Sequence, residues 1–135
     1  MGFFANGDEL DKYIGGIFRV AGDNPEVGEK LKAAGITMRV EYSDPDCVVT
    51  IGFQDPMVVD YGESDLVPDI TLVMPGDIAD RFWRGEYNLA VGLAKGQVRA
   101  KGPVNKILKL VPLTKPLFPV YRELVAEKDA QAAAS

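Results

Sequence analysis

Three pairs of aspartates lie close enough in sequence to act together: Asp44 with Asp46, Asp55 with Asp60, and Asp77 with Asp80. Paired carboxylates do general acid–base work when an apolar pocket raises the pKa of one member. Asp44 and Asp46 bracket Pro45 and read as a turn, and Asp77 stands where a helix start favours an acid. No D-x-D-x-D-G ladder occurs, which excludes a calcium loop. Cys47 is the lone cysteine, and the chain contains no histidine. These two facts remove Ser-His-Asp and Cys-His catalysis, His-ligated metals, Cys-rich zinc sites and intrachain disulfides. The expected home is a reducing cytoplasm, and Cys47 at an inward strand position reads as an inert thiol.

Phosphate and nucleotide chemistry finds no support. No two of the 14 glycines are separated by a single residue, so G-x-G-x-x-G is absent, as is G-x-x-x-x-G-K-[ST]. Gly92-Leu93-Ala94-Lys95-Gly96 instead ends one element and starts another. No cofactor and no metal are expected. Residues 1–88 carry 7 Lys/Arg against 17 Asp/Glu, and residues 89–135 carry 8 against 3, which together give the net charge of -5. The acidic part argues against a nucleic-acid partner. The basic part (Lys95, Arg99, Lys101, Lys106, Lys109) suits an anionic headgroup or membrane surface, or simply a solvated face.

At 135 residues the chain supports one core. No apolar run approaches the roughly 18 residues that span a membrane. The first residues lack the pattern of a secretory signal and the Ser or Thr of a myristoylation site. Leu10, Tyr13, Ile14, Ile17, Phe18 and Ala21 form one helical stripe, with Asn6 and Glu9 as a capping box and Gly22 as a stop. A second helix starts at Asn24-Pro25 and ends at Gly35. The period then changes to two. Ile36, Met38, Val40 and Tyr42 alternate with polar residues, Cys47 to Phe53 form a second strand, Met57 to Tyr61 a third, and Ile70, Leu72 and Met74 mark a fourth. Asp44-Pro45-Asp46 and Asp55-Pro56 supply turns, and the spacing predicts an antiparallel meander.

Pro75 opens a helix carrying Ile78, Phe82 and Trp83, which Gly85 ends. Leu89 to Ala94 reads as a short helix, and Gln97 to Lys101 as a strand. A helix through Ile107 and Leu110 is expected to stop at Pro112, with an irregular stretch up to Pro119. A last helix with Val120, Tyr121, Leu124 and Val125 follows. Residues 1–129 form the expected domain and residues 130–135 a flexible tail. This order describes an α+β domain: a single, mainly antiparallel sheet of about five strands covered by helices on one face.

Residues 69–111 resemble the sterol carrier protein 2 (sterol-binding) domain family. The resemblance rests on Asp69-Ile70-Thr71-Leu72-Val73-Met74, then Asp77-Ile78-Ala79-Asp80-Arg81-Phe82-Trp83-Arg84-Gly85, then Gly96-Gln97-Val98-Arg99-Ala100-Lys101-Gly102, followed by an apolar helix from Val104 to Leu110. It extends more loosely over residues 8–125. Leu93 stands where many members carry an aromatic residue, and the C-terminal Ala-Ala-Ser is no peroxisomal address.

The resemblance implies an apolar tunnel between sheet and helices that holds a fatty acid, a fatty acyl-CoA or a sterol. Burying a 16-carbon chain would gain roughly 12 kcal/mol before association costs, so hydrocarbon contact alone suffices for a carrier. The residues expected to line or close the tunnel are Val49, Ile51, Ile70, Leu72, Met74, Phe82, Trp83, Leu93, Val98, Leu110, Leu117 and Tyr121. The implied protein is a non-catalytic cytoplasmic lipid carrier with transient membrane-surface or acyl-CoA-enzyme contacts. Two other readings fit the composition. One is a module that docks an acyl-CoA or steroid-metabolising enzyme. The other is a small ketosteroid-isomerase-type enzyme, which works with Asp and Tyr and no histidine.

Overall fold

The structure is a computed structural model and describes residues 3–54 and 56–134, with side chains up to Gln131. The Asp55 half of the second predicted turn, the first two residues and Ser135 lie outside the described residues. The N-terminal stripe forms α1 (Gly7–Leu10), a π-helical turn (Asp11–Gly15) and α2 (Gly16–Asp23) in one continuous helical path. Asn6 caps it, its Oδ1 accepting from the Glu9 backbone N–H at 2.9 Å. Asn24 organises the turn into α3 (Val27–Ala33), its Oδ1 accepting from the N–H groups of Glu26 and Val27, both at 2.9 Å.

Five strands form, β1 (Thr37–Ser43), β2 (Cys47–Gly52), β3 (Val58–Tyr61), β4 (Ile70–Pro75) and β5 (Arg99–Lys101), and burial alternates residue by residue along β1 and β4 but not along β2 or β3. Their order in the sheet is β3-β2-β1-β4-β5. β1–β2, β2–β3 and β4–β5 are antiparallel. The meander expected over all four early strands stops at β3, because β4 pairs parallel to β1 on its other side. Asp69 sets that register. Its backbone N–H donates to the Thr37 carbonyl at 2.9 Å, and its carboxylate accepts from the Thr37 N–H at 2.8 Å. Both backbone groups of Thr37 are thereby used at the base of β1, and Met38 stands opposite Ile70.

The pairing puts Met38, Val40 and Tyr42 beside Val49, Ile51, Ile70, Leu72 and Met74 on one face. The helices cover this face: α4 (Gly76–Trp83), α5 (Leu89–Ala94), α6 (Val104–Thr114) and α7 (Phe118–Ala134), together with α1–α3. Leu10, Ile14, Ile17, Leu31, Leu117, Tyr121 and Val125 are fully buried in the resulting core. The outer face carries Arg39, Glu41, Thr71, Arg99 and Lys101, with Arg39 and Glu41 paired at 3.0 Å.

Two helix ends differ from expectation. α6 runs two residues beyond Pro112 and passes through a 3₁₀ turn (Lys115–Leu117) into α7. Proline removes only the N–H that would meet the Leu108 carbonyl, and Leu108 is exposed, so water can replace that partner. α7 carries helical backbone to Ala134, across residues read above as tail.

Candidate functional site

Between the sheet and the helices lies an unfilled apolar cavity of about 70 Å³. Its floor is Met38, Val40 and Tyr42 of β1 with Leu72 and Met74 of β4, and Phe53 closes the end beyond β2. Its roof is Phe18, Leu31, Ala79, Phe82, Trp83 and Leu89, together with one face of α6. The α6 residues Ile107, Leu110, Val111 and Thr114 are spaced i, i+3, i+4, i+7, which turns them onto one side of that helix. Trp83 is fixed by edge contacts, with ring centroids 5.3 Å from Phe18, 5.3 Å from Phe82 and 6.1 Å from Phe118.

Three wall residues carry a polar side-chain atom. Thr114 Oγ1 donates to the Val111 carbonyl at 2.6 Å. Tyr42 and Trp83 are the other two, and both side chains are buried in the wall. Burial also holds the Tyr42 phenol far above its ordinary pKa, with the Cys47 and Asp11 charges adding to the effect. No Lys, Arg, Asp or Glu lines the cavity. Space of this kind stays dry and accepts hydrocarbon.

Behind Trp83 sits the buried carboxylate of Asp80. Asp80 accepts from the Tyr121 hydroxyl at 2.7 Å and from Arg84 Nε at 2.9 Å. Arg84 extends the chain with two bonds to Asp129 on α7, each 3.0 Å. Asp129 and then Asp80 push the Arg84 pKa up against the opposing effect of burial. Burial first, and the bond to Asp80 second, do the same for Tyr121. This network clamps α7 onto α4. Of the other paired carboxylates, Asp77 accepts from the Phe3 N–H at 2.7 Å, and Asp60 accepts from the Ser64 hydroxyl at 2.7 Å. Cys47 is half-buried at the edge of the inner face, its thiol pushed up to about 11 by burial and by Asp11 and Asp46.

Of the residues expected to form the tunnel, Leu72, Met74, Phe82, Trp83 and Leu110 line the cavity. Val49, Ile51, Ile70, Val98, Leu117 and Tyr121 are buried outside its wall, and Leu93 is half-buried away from it. The floor residues Met38, Val40 and Tyr42 were visible as an inward alternation, and Phe18 and Ile107 as helical stripes. Nothing local distinguishes facing a void from facing a neighbour. An open groove of about 660 Å³ adjoins the cavity, sharing Phe82, Leu89 and Val111 with it and carrying Lys115 and Glu86 on its rim. A second groove, between α3 and α6, is rimmed by Lys30, Lys106 and Lys109 and shares Leu110 with the cavity.

No family model matches the sequence, and no curated protein matches it. Solved structures do match. Sterol carrier protein 2 from Yarrowia lipolytica, in its apo form, superimposes with a TM-score of 0.64 at 18% identity, over 76% of this chain and 87% of that one. The sterol carrier protein domain 2 of Helicoverpa armigera gives 0.64 at 16% identity, over 80% and 87%. The stereoselective inverting sec-alkylsulfatase Pisa1 from Pseudomonas sp. gives 0.57 at 15% identity over 64% of this chain, but only 14% of the enzyme is matched. The chain therefore has the sterol carrier protein 2 fold, an α+β sheet with helices packed on it.

Proposed function

We propose that this protein is a non-catalytic carrier that holds an apolar lipid between its sheet and its helices in the cytoplasm. The observation that carries this reading is the apolar cavity under α6, set in a fold shared with sterol carrier protein 2 structures. A carrier needs concave apolar surface and few polar contacts, which is what the wall offers. The cavity is small beside the roughly 300–1,000 Å³ of ordinary ligand pockets, so loading requires α6 to move outward. Fatty acids, fatty acyl-CoA and sterols are the lipid classes considered. The exposed Lys106 and Lys109 on α6, with Lys115 just after it, favour transient contact with an anionic membrane or an acyl-CoA phosphate.

Native mass spectrometry of freshly purified protein, with extraction of whatever accompanies it, tests the reading. A stoichiometric lipid adduct is expected. A bare mass that persists after incubation with fatty acid, acyl-CoA and sterol would overturn the carrier reading. It would favour a docking module.

A further inference from the structure

We infer that the groove between α3 and α6 holds the anionic head of the lipid, a carboxylate or a phosphate, against Lys30, Lys106 and Lys109, while the chain passes Leu110 into the cavity. This inference rests on the carrier reading and deepens it.

The two helices make a partition that is lined on both sides. Leu31 of α3 and Ile107 of α6 line the cavity. Lys30, Ala33 and Ala34 of α3, with Lys106, Lys109 and Leu113 of α6, line the groove outside it. Leu110 belongs to both walls and is 8% exposed, so its side chain stands between groove and cavity. Ala33 and Ala34 add only methyl groups on the α3 side. The outward movement of α6 that loading requires therefore widens this seam and joins the two spaces.

The sign of the head follows from the charges. Three cations and no acid line the groove, and none of the three takes part in an ion pair among the described residues. The other grooves that share a wall residue with the cavity carry both signs. The one beside Val111 sets Lys115 against Glu86. The one beside Phe18 has Asp23 with Arg19 and Lys32, and those two cations pair with Asp11 and Glu29. Inside, no charged residue lines the cavity, so an ionised head drawn through the seam would lose its water without a counter-ion, which is strongly unfavourable. At the groove the head keeps solvent on one side and meets exposed ammonium groups on the other. Only hydrocarbon surface lies ahead of the chain.

Three ten-carbon probes test this: decanoate, decyl phosphate and decanol, titrated at neutral pH. Trp83 is the only tryptophan and lines the cavity, so its emission reports the arrival of the chain. Both anions are expected to bind about three- to tenfold more tightly than decanol, and the tighter of the two identifies the head. Their advantage is expected to shrink at about 0.5 M salt, because the lysines are exposed. Lys106→Gln with Lys109→Gln is expected to remove most of it and to leave decanol unchanged. The charge-matched pair Arg99→Gln and Lys101→Gln, on the outer face of the sheet, is expected to leave all three probes unchanged, which separates a local site from net charge. If the Lys106/Lys109 variant does not fold, the comparison of probes and its salt dependence in the wild-type protein decide. Anions that bind no better than decanol, or a lysine variant that keeps their advantage and loses only its binding to vesicles containing phosphatidylserine, would overturn the inference and leave the carrier reading intact. No binding of any probe and no lipid adduct would overturn both.

Discussion

Tyr121 on α7 donates its hydroxyl hydrogen bond to the buried Asp80 on α4 at 2.7 Å, and Arg84, one turn after Asp80, holds the same carboxylate at 2.9 Å. A carboxylate this far from water stands only because both donors are in place. Removing either donor leaves the charge partly uncompensated. Arg84→Ala is expected to cost about 2–4 kcal/mol and Tyr121→Phe about 1–2 kcal/mol, read as shifts in the urea unfolding midpoint. Equal, negligible effects would show that water replaces both donors and that the clamp contributes nothing.

Val40 lies at the centre of the cavity floor, between Val49 and Leu72, and is almost fully buried. Val40→Phe directs a ring into the void. The substitution is expected to abolish lipid uptake, measured by native mass spectrometry and Trp83 emission. Its cost in stability is expected to stay within about 1–3 kcal/mol, because free space is available to take the added atoms. Undiminished loading in a folded variant would place the ligand elsewhere.

Glu9 ties the N-terminal helix to α7 through Lys128 and also accepts from the Ala5 N–H at 3.1 Å. Burial pushes its carboxyl up, but Lys128, the Ala5 N–H and Lys12 outweigh that and hold it below the ordinary 4.5. A lowered folded-state pKa means that the ionised form stabilises the fold. The contribution is complete above about pH 4.5 and disappears as the pH falls through the lower folded value. Wild type and Glu9→Gln should therefore differ by up to about 1 kcal/mol in urea titrations at neutral pH and converge in acid.

Cys47 has its thiol raised from 9.0 to about 11. At pH 8 the thiolate fraction then falls about a hundredfold, and iodoacetamide should label Cys47 slower by a similar factor than an unfolded control. Rapid labelling of folded protein would show that the start of β2 opens.

Strand faces, helix stripes and caps were legible because each depends on a few neighbouring residues. Asn6, Asn24, Gly35 and Gly85 do in the structure what their types suggest locally. The parallel pairing of β1 with β4 was not legible, since it rests on Asp69 meeting Thr37, 32 residues earlier. The cavity wall was half legible for a related reason. Val49 and Val40 both point inward, yet only Val40 borders the void, and that difference is decided by what stands opposite each of them. Tyr121 read as wall because its ring is apolar, whereas its hydroxyl belongs to Asp80.

The parallel contact between β1 and β4 also has a consequence for how the chain is made. On the ribosome, α1–α3 emerge first, and β1, β2 and β3 follow and can form a ribbon by local pairing. Until β4 follows, that ribbon presents a free β1 edge and an apolar face containing Met38, Val40, Val49 and Ile51 that only α1–α3 are available to cover. α6 and α7, which complete the cover, arrive last of all. Synthesis thus passes through an interval in which the half-made sheet is open to misassociation, and chaperone protection matters most while the link between β3 and β4 is being translated.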